Sequence, residues 1–339
     1  MPRRFQPLGL LLMLASFGGG WLWIDFQAFL DTPLEIPPTG LVHELEPGAS
    51  VATLARDLEH QAVWRQSRHG WYFQALARWQ GKAQRLRVGE YLIPTGTTPS
   101  ALLDLFVSGR VLQHPVTLVE GWTFAHWREQ LNNQDWLRRH LDPDEEPEAV
   151  MARLGRPGEL PEGRLLPNTY HFPRGVSDLQ VICRAVEAMD RFLASEWAKR
   201  DPGLPLQSPY EALILASIVE KETALAAERP RIAGVFVRRL RQRMKLQTDP
   251  TLIYGLGNSF DGNLKRADLI ADTPYNTYLH PGLPPTPIAM PSGEAIRAVL
   301  HPAPGDALYF VARGDGSHQF SGTLEEHNRA VQQFQLKRP

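Results

Sequence analysis

Glu220 and Glu222 close a stretch, residues 212–219, that is otherwise apolar, and the chemistry this suggests is proton transfer. A carboxyl partly desolvated by apolar neighbours has its pKa raised and keeps its proton near neutral pH, as a general acid must. Upstream, Ser208-Pro209-Tyr210-Glu211 has the form of a capping box with proline at the first helical position, so a helix is predicted to start there. Its apolar stretch leaves no polar face, which a helix tolerates only when neighbours surround it; the segment is expected to be the buried central helix of its domain. No glycine separates it from Glu220-Lys221-Glu222-Thr223. Acids at a helix C-terminus face the negative end of the macrodipole, which again favours the protonated form. Positions two apart on a helix are rotated by roughly 200°, so only one glutamate can face a given cleft, and the spacing does not choose between them. A solvated helix end is the plainer reading of the pair.

Two further stretches crowd polar groups onto stiff backbone. Leu246-Gln247-Thr248-Asp249-Pro250 is polar, then turns apolar toward Tyr254 and Gly255, and Tyr275-Asn276-Thr277-Tyr278 leads into a proline-rich loop over residues 281–291. Such hydroxyls, amides and aromatic rings suit a sugar, which offers hydrogen-bonding edges and apolar ring faces. Other classes are disfavoured. With 36 basic and 37 acidic side chains the formal net charge is -1, so no long-range field favours a nucleic-acid backbone. The single cysteine, Cys183, excludes an internal disulfide and any cysteine-based zinc or iron–sulfur site, and its apolar helical surroundings mark it as a core residue. No HExxH, GxSxG, glycine-rich phosphate loop or EF-hand pattern occurs. His280, His301, His318 and His327 are dispersed without metal-ligand spacing, and neither metal nor cofactor is expected.

The elements that must position these residues begin with the terminus. Arg3 and Arg4 precede an uncharged run over residues 8–24 that as a helix would span roughly 25 Å, the short end of a bilayer core. It reads as a transmembrane anchor, because Trp21 and Trp23 resemble an interfacial belt; the alternative is a signal peptide ending in the small residues 16–20. Either carries the body of the chain out of the cytoplasm. Residues 31–40 hold several prolines and read as a spacer. A strand-turn-helix pattern then recurs: residues 41–45 with Ser50 as cap, 90–93 with Thr98, and 116–119 with Thr123. The first two frame a small α+β module over residues 41–110, with a linking segment over 111–150 and a larger mixed α/β domain over 151–339; the fold class is α+β. The aromatic stretch holding Trp64, Trp71, Tyr72, Phe73 and Trp79 reads as module core, with glycan binding as the alternative. With 339 residues, about two domains are expected.

Four motifs taken together resemble one family. These are Ala216-Ser217-Ile218-Val219-Glu220-Lys221-Glu222-Thr223, then Gln247-Thr248-Asp249-Pro250 with Tyr254-Gly255, then Tyr275-Asn276-Thr277-Tyr278 with Gly282-Leu283-Pro284-Pro285, and finally Leu308-Tyr309-Phe310-Val311-Ala312 with His318 and Phe320. They resemble the MltG (YceG-like) endolytic murein transglycosylases, over nearly the whole chain. The resemblance implies a single-pass inner-membrane protein with a LysM-like module and a periplasmic catalytic domain. It implies cleavage of the MurNAc–GlcNAc bond within peptidoglycan strands, leaving 1,6-anhydro ends and limiting strand length, near peptidoglycan synthases. It also implies that the second glutamate, Glu222, is the catalytic one; Glu220 is then read as structural, paired with a cation of the next helix. Gln247, Thr248, Asp249, Tyr254, Tyr275, Asn276, Thr277 and Tyr278 become candidates to hold the sugars, against a reading in which Asp249 caps a turn and the tyrosines pack.

One departure is visible: Pro167-Asn168-Thr169-Tyr170 stands where relatives often carry Pro-Asp-Thr, so no required negative charge is assigned to that loop. In the helix over residues 230–244, Ile232, Val235, Phe236 and Leu240 form an apolar stripe. Its cations, Arg238, Arg239, Arg241 and Arg243 with Lys245, read as a solvated face, attraction to acidic wall peptides being the sharper alternative. Two other functions fit the residues: a peptidoglycan-binding scaffold that does not cut, and a water-using muramidase pairing Glu222 with Asp249.

Overall fold

Residues 6–336 are described by the structure, a computed structural model, and the chain divides into residues 1–114 with 171–174 and residues 115–170 with 175–339. The first unit opens with α1 (Gln6–Asp31), whose side chains from Leu11 to Ile24 lie in the open, Phe17 being 75% exposed. Among the described residues no helix is long and apolar enough to cross a membrane. Arg3, Arg4 and the side chains of Leu8 and Leu10, all part of the expected anchor signal, lie outside the described residues. The last turns of α1 are docked instead. Asp25 accepts two hydrogen bonds from Arg68 (2.8 and 3.0 Å) and one from the Tyr72 hydroxyl (2.9 Å), while Phe26 and Phe29 pack on the Tyr72 ring.

β1 (Leu41–Leu45), α2 (Val51–His60), α3 (Arg68–Trp79), β2 (Gly89–Ile93) and α4 (Pro99–Ser108) complete this unit. Ser50 and Thr98 cap α2 and α4 as the sequence leads one to expect, accepting the N–H of Thr53 at 3.1 Å and of Ala101 at 3.4 Å. β1 and β2 pair antiparallel, Leu41 opposite Ile93 and Leu45 opposite Gly89. Inward-facing Leu45, Tyr91 and Ile93 meet Leu54, Leu58, Phe73, Leu76, Leu102 and Phe106 in one core. The aromatic stretch splits: Trp64 and Phe73 are core, whereas Trp71 and Trp79 are 74% and 69% exposed. The segment expected as a free spacer is bound into the same core by Leu34 and Ile36 and by the Leu34 N–H to Thr97 carbonyl bond (2.9 Å), because these two apolar residues, either side of Glu35, point the same way between Pro33 and Pro37.

The second unit contains β3 (His114–Leu118) from Pro115 onward, α5 (Phe124–Asn132), α6 (Pro147–Arg153), β4 (Asn168–Phe172) as far as Tyr170, α7 (Asp178–Ala198), α8 (Pro209–Glu222), α9 (Arg229–Arg241), α10 (Asp249–Leu256), α11 (Arg266–Ile270), α12 (Gly293–Leu300), β5 (Tyr309–Ala312), β6 (His318–Ser321) and α13 (Leu324–Val331). β3 pairs with β4, and β5 with β6, each as a two-stranded sheet. Residues 115–150 belong to this unit and not to a linking segment: Trp127, Leu131, Val150 and Met151 are buried, and burial of that much apolar surface fixes a segment to its neighbours. α8 is the central helix, with residues 212–219 buried among α7, α9, α10 and α12. The one hydroxyl of its apolar run, Ser217, donates to Ile214 O at 2.7 Å and accepts Ile288 N–H at 3.0 Å, so nothing polar there is left unsatisfied. Its start differs slightly from a true capping box: Ser208 caps Glu211 N–H, but Glu211 accepts from Gln207 N–H. α9 stops at Arg241, and Arg243 has φ +55°, a left-handed conformation that a helix cannot continue through.

Candidate active site

α8 ends at Glu222, and Thr223 leaves it extended, at φ −148° and ψ 135°. The two glutamates therefore part. One Glu220 oxygen accepts Arg229 Nη2 at 3.1 Å; the other accepts the Ser292 N–H at 2.8 Å and the Ser292 hydroxyl. With its side chain 4% exposed, Glu220 ties the first residue of α9 and the cap of α12 to the end of α8, a structural job done by an ion pair with a cation of the next helix. Glu222 lines two cavities, of which Glu220 reaches only the first. That one, of about 400 Å³, is formed with Glu120, Gly121, Trp122, Glu220, Lys221, Thr223, Ala224 and Arg229; the other, of about 560 Å³, with Arg239, Gln247, Thr248, Asp249, Tyr278, Tyr309, His318 and His327 among others.

Among the described residues the hydrogen bond to Glu222 is the one donated by the Thr248 hydroxyl to Oε1. Thr248 is the N-cap residue of α10 yet makes no side-chain cap bond, because its hydroxyl is turned to Glu222. The loop is built to hold it there. Gln247 sits at φ +53°, which side-chain-bearing residues rarely adopt, and its N–H donates to Thr277 O at 3.1 Å. Thr248 N–H donates to Thr277 Oγ1 at 3.1 Å, and Thr251 Oγ1 donates to Thr248 O at 2.8 Å. Asn276 is fully buried, donating to Ala271 O at 2.7 Å and accepting Tyr278 N–H at 3.0 Å. Thr277 and Asn276 thus frame the loops and line neither cavity.

Burial is the largest cause holding the Glu222 carboxyl above its ordinary range; the Thr248 hydrogen bond opposes it, the negative charge of Asp249 adds to it, and His318 and Arg239 pull it back. The direction expected from the helix end holds, with desolvation as its main source. The group so placed favours its protonated form and has one oxygen fixed by Thr248, leaving the other for a ligand in the cavities. Asp249 is exposed at the first turn of α10 and accepts the Tyr278 hydroxyl at 2.6 Å.

Of the eight residues proposed to hold a glycan, Gln247, Thr248, Asp249 and Tyr278 surround Glu222, and Tyr254, Tyr275, Asn276 and Thr277 do not. Tyr254 and Tyr275 pack edge to face at 5.1 Å, Tyr275 sharing a hydrogen bond with Thr286 at 2.8 Å. Tyr254 donates at 3.3 Å to Glu162, a buried carboxylate pushed up to about 7 by burial and held at the start of α5 by the Phe124 N–H (3.2 Å). Asn168 accepts the N–H of Thr169, and both stay exposed.

The sequence alone assigns no site role to Arg239, Tyr309, His318 or Glu162, although Tyr309 and His318 stand in the fourth motif. Arg239 was grouped with solvated arginines, yet it is 7% exposed, donating to Leu308 O at 2.7 Å and Leu246 O at 2.8 Å. The signal was its place three residues after Phe236 and seven after Ile232, on the apolar stripe of α9. His318 is held by Glu228, which accepts its Nδ1 at 2.7 Å and its N–H at 3.1 Å. Among the described residues no three His, Cys, Asp or Glu side chains cluster to hold a metal.

Comparison with known proteins adds independent evidence. A family model described as the YceG-like family matches residues 43–333. The chain is 30% identical over 305 residues to an endolytic murein transglycosylase of Bacillus subtilis (strain 168), the alignment covering 85% of this chain and 82% of that protein. It is 28% identical over 357 residues to an endolytic murein transglycosylase of Streptococcus pneumoniae serotype 2 (strain D39 / NCTC 7466), covering 94% of this chain and 63% of that protein. Among solved structures, a yceG-like protein from Listeria monocytogenes superposes with a TM-score of 0.55 at 28% identity, covering 86% of this chain and 99% of that one.

Proposed function

This chain belongs to the YceG-like family, and from that premise we propose that Glu222 is both the acid and the base with which it cuts peptidoglycan. The chain is an endolytic murein transglycosylase like the relatives it aligns with. Protonated Glu222 gives its proton to the glycosidic oxygen as the bond from the muramoyl C1 breaks, so the GlcNAc side leaves as an alcohol. The muramoyl C6 oxygen then bonds to C1, and its hydroxyl proton passes to the Glu222 carboxylate, restoring the acid and leaving a 1,6-anhydro end. Because the nucleophile is part of the substrate, no second protein carboxylate has to activate water. Thr248 steadies the carboxylate form between the two transfers.

The observation that carries this reading is the position of Glu222: a carboxyl with a raised pKa, at the one residue shared by the two cavities. Two cavities meeting at the acid suit a strand that enters on one side and continues on the other, as an internal cut requires. The test is to digest purified peptidoglycan with the full chain in heavy-oxygen water and analyse the fragments by mass spectrometry. Unlabelled anhydromuramyl ends support the reading, and labelled reducing ends would support a muramidase that uses Asp249 as its second carboxylate.

α1 is a membrane-inserted segment, supported by its exposed apolar side chains from Leu11 to Ile24, and the body then lies in the periplasm beside peptidoglycan synthases. The β1–α2–α3–β2 succession is a LysM-like glycan-holding module, supported by an antiparallel strand pair with two helices between its strands.

A further inference from the structure

This inference rests on the reading of Glu222 given above and deepens it. Arg239 is a cation taken almost wholly out of water, and among the described residues no carboxylate pairs with it. Its Nε and Nη1 are spent on the carbonyls of Leu308, Leu246 and Lys245, and its guanidinium lies 5.1 Å from the centre of the Tyr309 ring. Nη2 makes no hydrogen bond with the described residues. Arg229, at similar depth beside Glu222, differs in having Glu220 as its counter-charge. A buried cation fixed on one side and lacking an anion is costly for the protein alone and is made good by an anion brought by a ligand. Arg239 lines the larger cavity together with Glu222.

We propose that Arg239 is the carboxylate-binding residue of this cavity, receiving through Nη2 a carboxylate carried by the muramoyl lactyl arm of the strand being cut. Two sources share this chemistry: the free lactyl carboxylate of a strand stripped of its peptides, and a carboxylate of an attached stem peptide. The contact also couples binding to chemistry. In the empty cavity His318 and Arg239 draw the Glu222 proton away while burial and the charge of Asp249 hold it, with Tyr278, Tyr309 and His327 lining the same space; a carboxylate on Arg239 cancels the Arg239 share of that pull, so the occupied site keeps its acid protonated to higher pH.

The test uses the full chain in detergent with four glycan substrates: strands with stem peptides, the same strands with carboxylates converted to methylamides, amidase-stripped strands, and stripped strands likewise methylamidated. Both kcat/KM for anhydro-product formation and the affinity of the non-cutting Glu222→Gln variant are measured. Charged strands are expected to exceed their neutralised counterparts by about 10- to 100-fold in one or both pairs, the size of a hydrogen bond to a charged group. Preference in the stripped pair identifies the lactyl carboxylate, and preference confined to the stem-bearing pair identifies the peptide. Arg239→Gln is expected to abolish the preference, Arg239→Lys to keep part of it, and the alkaline limb of kcat to lie above that of kcat/KM for charged strands alone. Equal kcat/KM and equal affinity within both pairs overturn the proposal, and this parent comparison decides even if Arg239→Gln fails to fold. Absence of anhydro product from every strand counts against the reading of Glu222, and the affinity arm still decides for or against Arg239.

Discussion

Glu162→Gln should make the protein more stable at alkaline pH while doing little in acid. Glu162 is 7% exposed and accepts the Phe124 N–H and the Tyr254 hydroxyl; burial outweighs both and pushes it up to about 7 from an ordinary 4.5. A displacement of that size corresponds to about 3 kcal/mol. Because the folded-state pKa lies above the unfolded one, the folded state binds the proton more tightly, and its stabilising effect is fully present below about 4.5 and lost as the pH rises to about 7. Glutamine keeps an acceptor for Phe124 N–H and never ionises, so this loss disappears. The assay is thermal unfolding of parent and variant from pH 4 to 8.5. The gap between their midpoints should widen in favour of the variant by about 3 kcal/mol, or roughly 6–12 °C for a unit of this size. Parallel curves across that range would show that Glu162 titrates in the folded protein as it does in the unfolded chain, and would refute the reasoning.

Thr248→Val removes the hydrogen bond that steadies ionised Glu222, so kcat/KM should fall by about ten- to a hundredfold and its alkaline limb move to higher pH; a pH–rate profile checks both, and an unmoved limb would contradict the role. Glu220→Gln leaves Arg229 buried without its counter-charge and should cost about 3–5 kcal/mol by denaturant titration, whereas Glu222→Gln should not destabilise. The full chain should float with phospholipid vesicles after reconstitution and lose that behaviour when Leu11, Leu14 and Trp21 are changed to serine; a chain that stays in the aqueous fraction speaks against the membrane reading.

Much of the fold was legible because its signals are local. Ser50, Thr98, Thr123 and Ser208 each cap a helix, and the unrelieved apolar run in α8 announced the central helix before any partner was known. What required the fold was the destination of side chains on loops and on mixed faces. The choice between Glu220 and Glu222 could not come from spacing, since it turns on where α8 stops and on Ser292 and Arg229 arriving from α12 and α9. Tyr254 and Tyr278 look alike in sequence, and only packing sends one to Glu162 and the other to Asp249. Arg239 stood beside Arg241 and Arg243, which do face water, so its apolar neighbours Ile232 and Phe236 were a better guide than its own type; Arg238, partly buried and donating to the Ala303 and Ala307 carbonyls, departs from a solvated face as well. Residues 31–40 misled for a related reason: prolines suggested a spacer, while Leu34 and Ile36 between them filled the core.

The most direct measurement compares parent and Glu222→Gln on purified peptidoglycan, with anhydromuramyl products quantified by mass spectrometry and both proteins shown to be folded. One carboxyl acting as acid and then base predicts anhydro ends from the parent and a loss of at least about a hundredfold in the variant. Equal product from both would contradict it, whatever else binds in the two cavities.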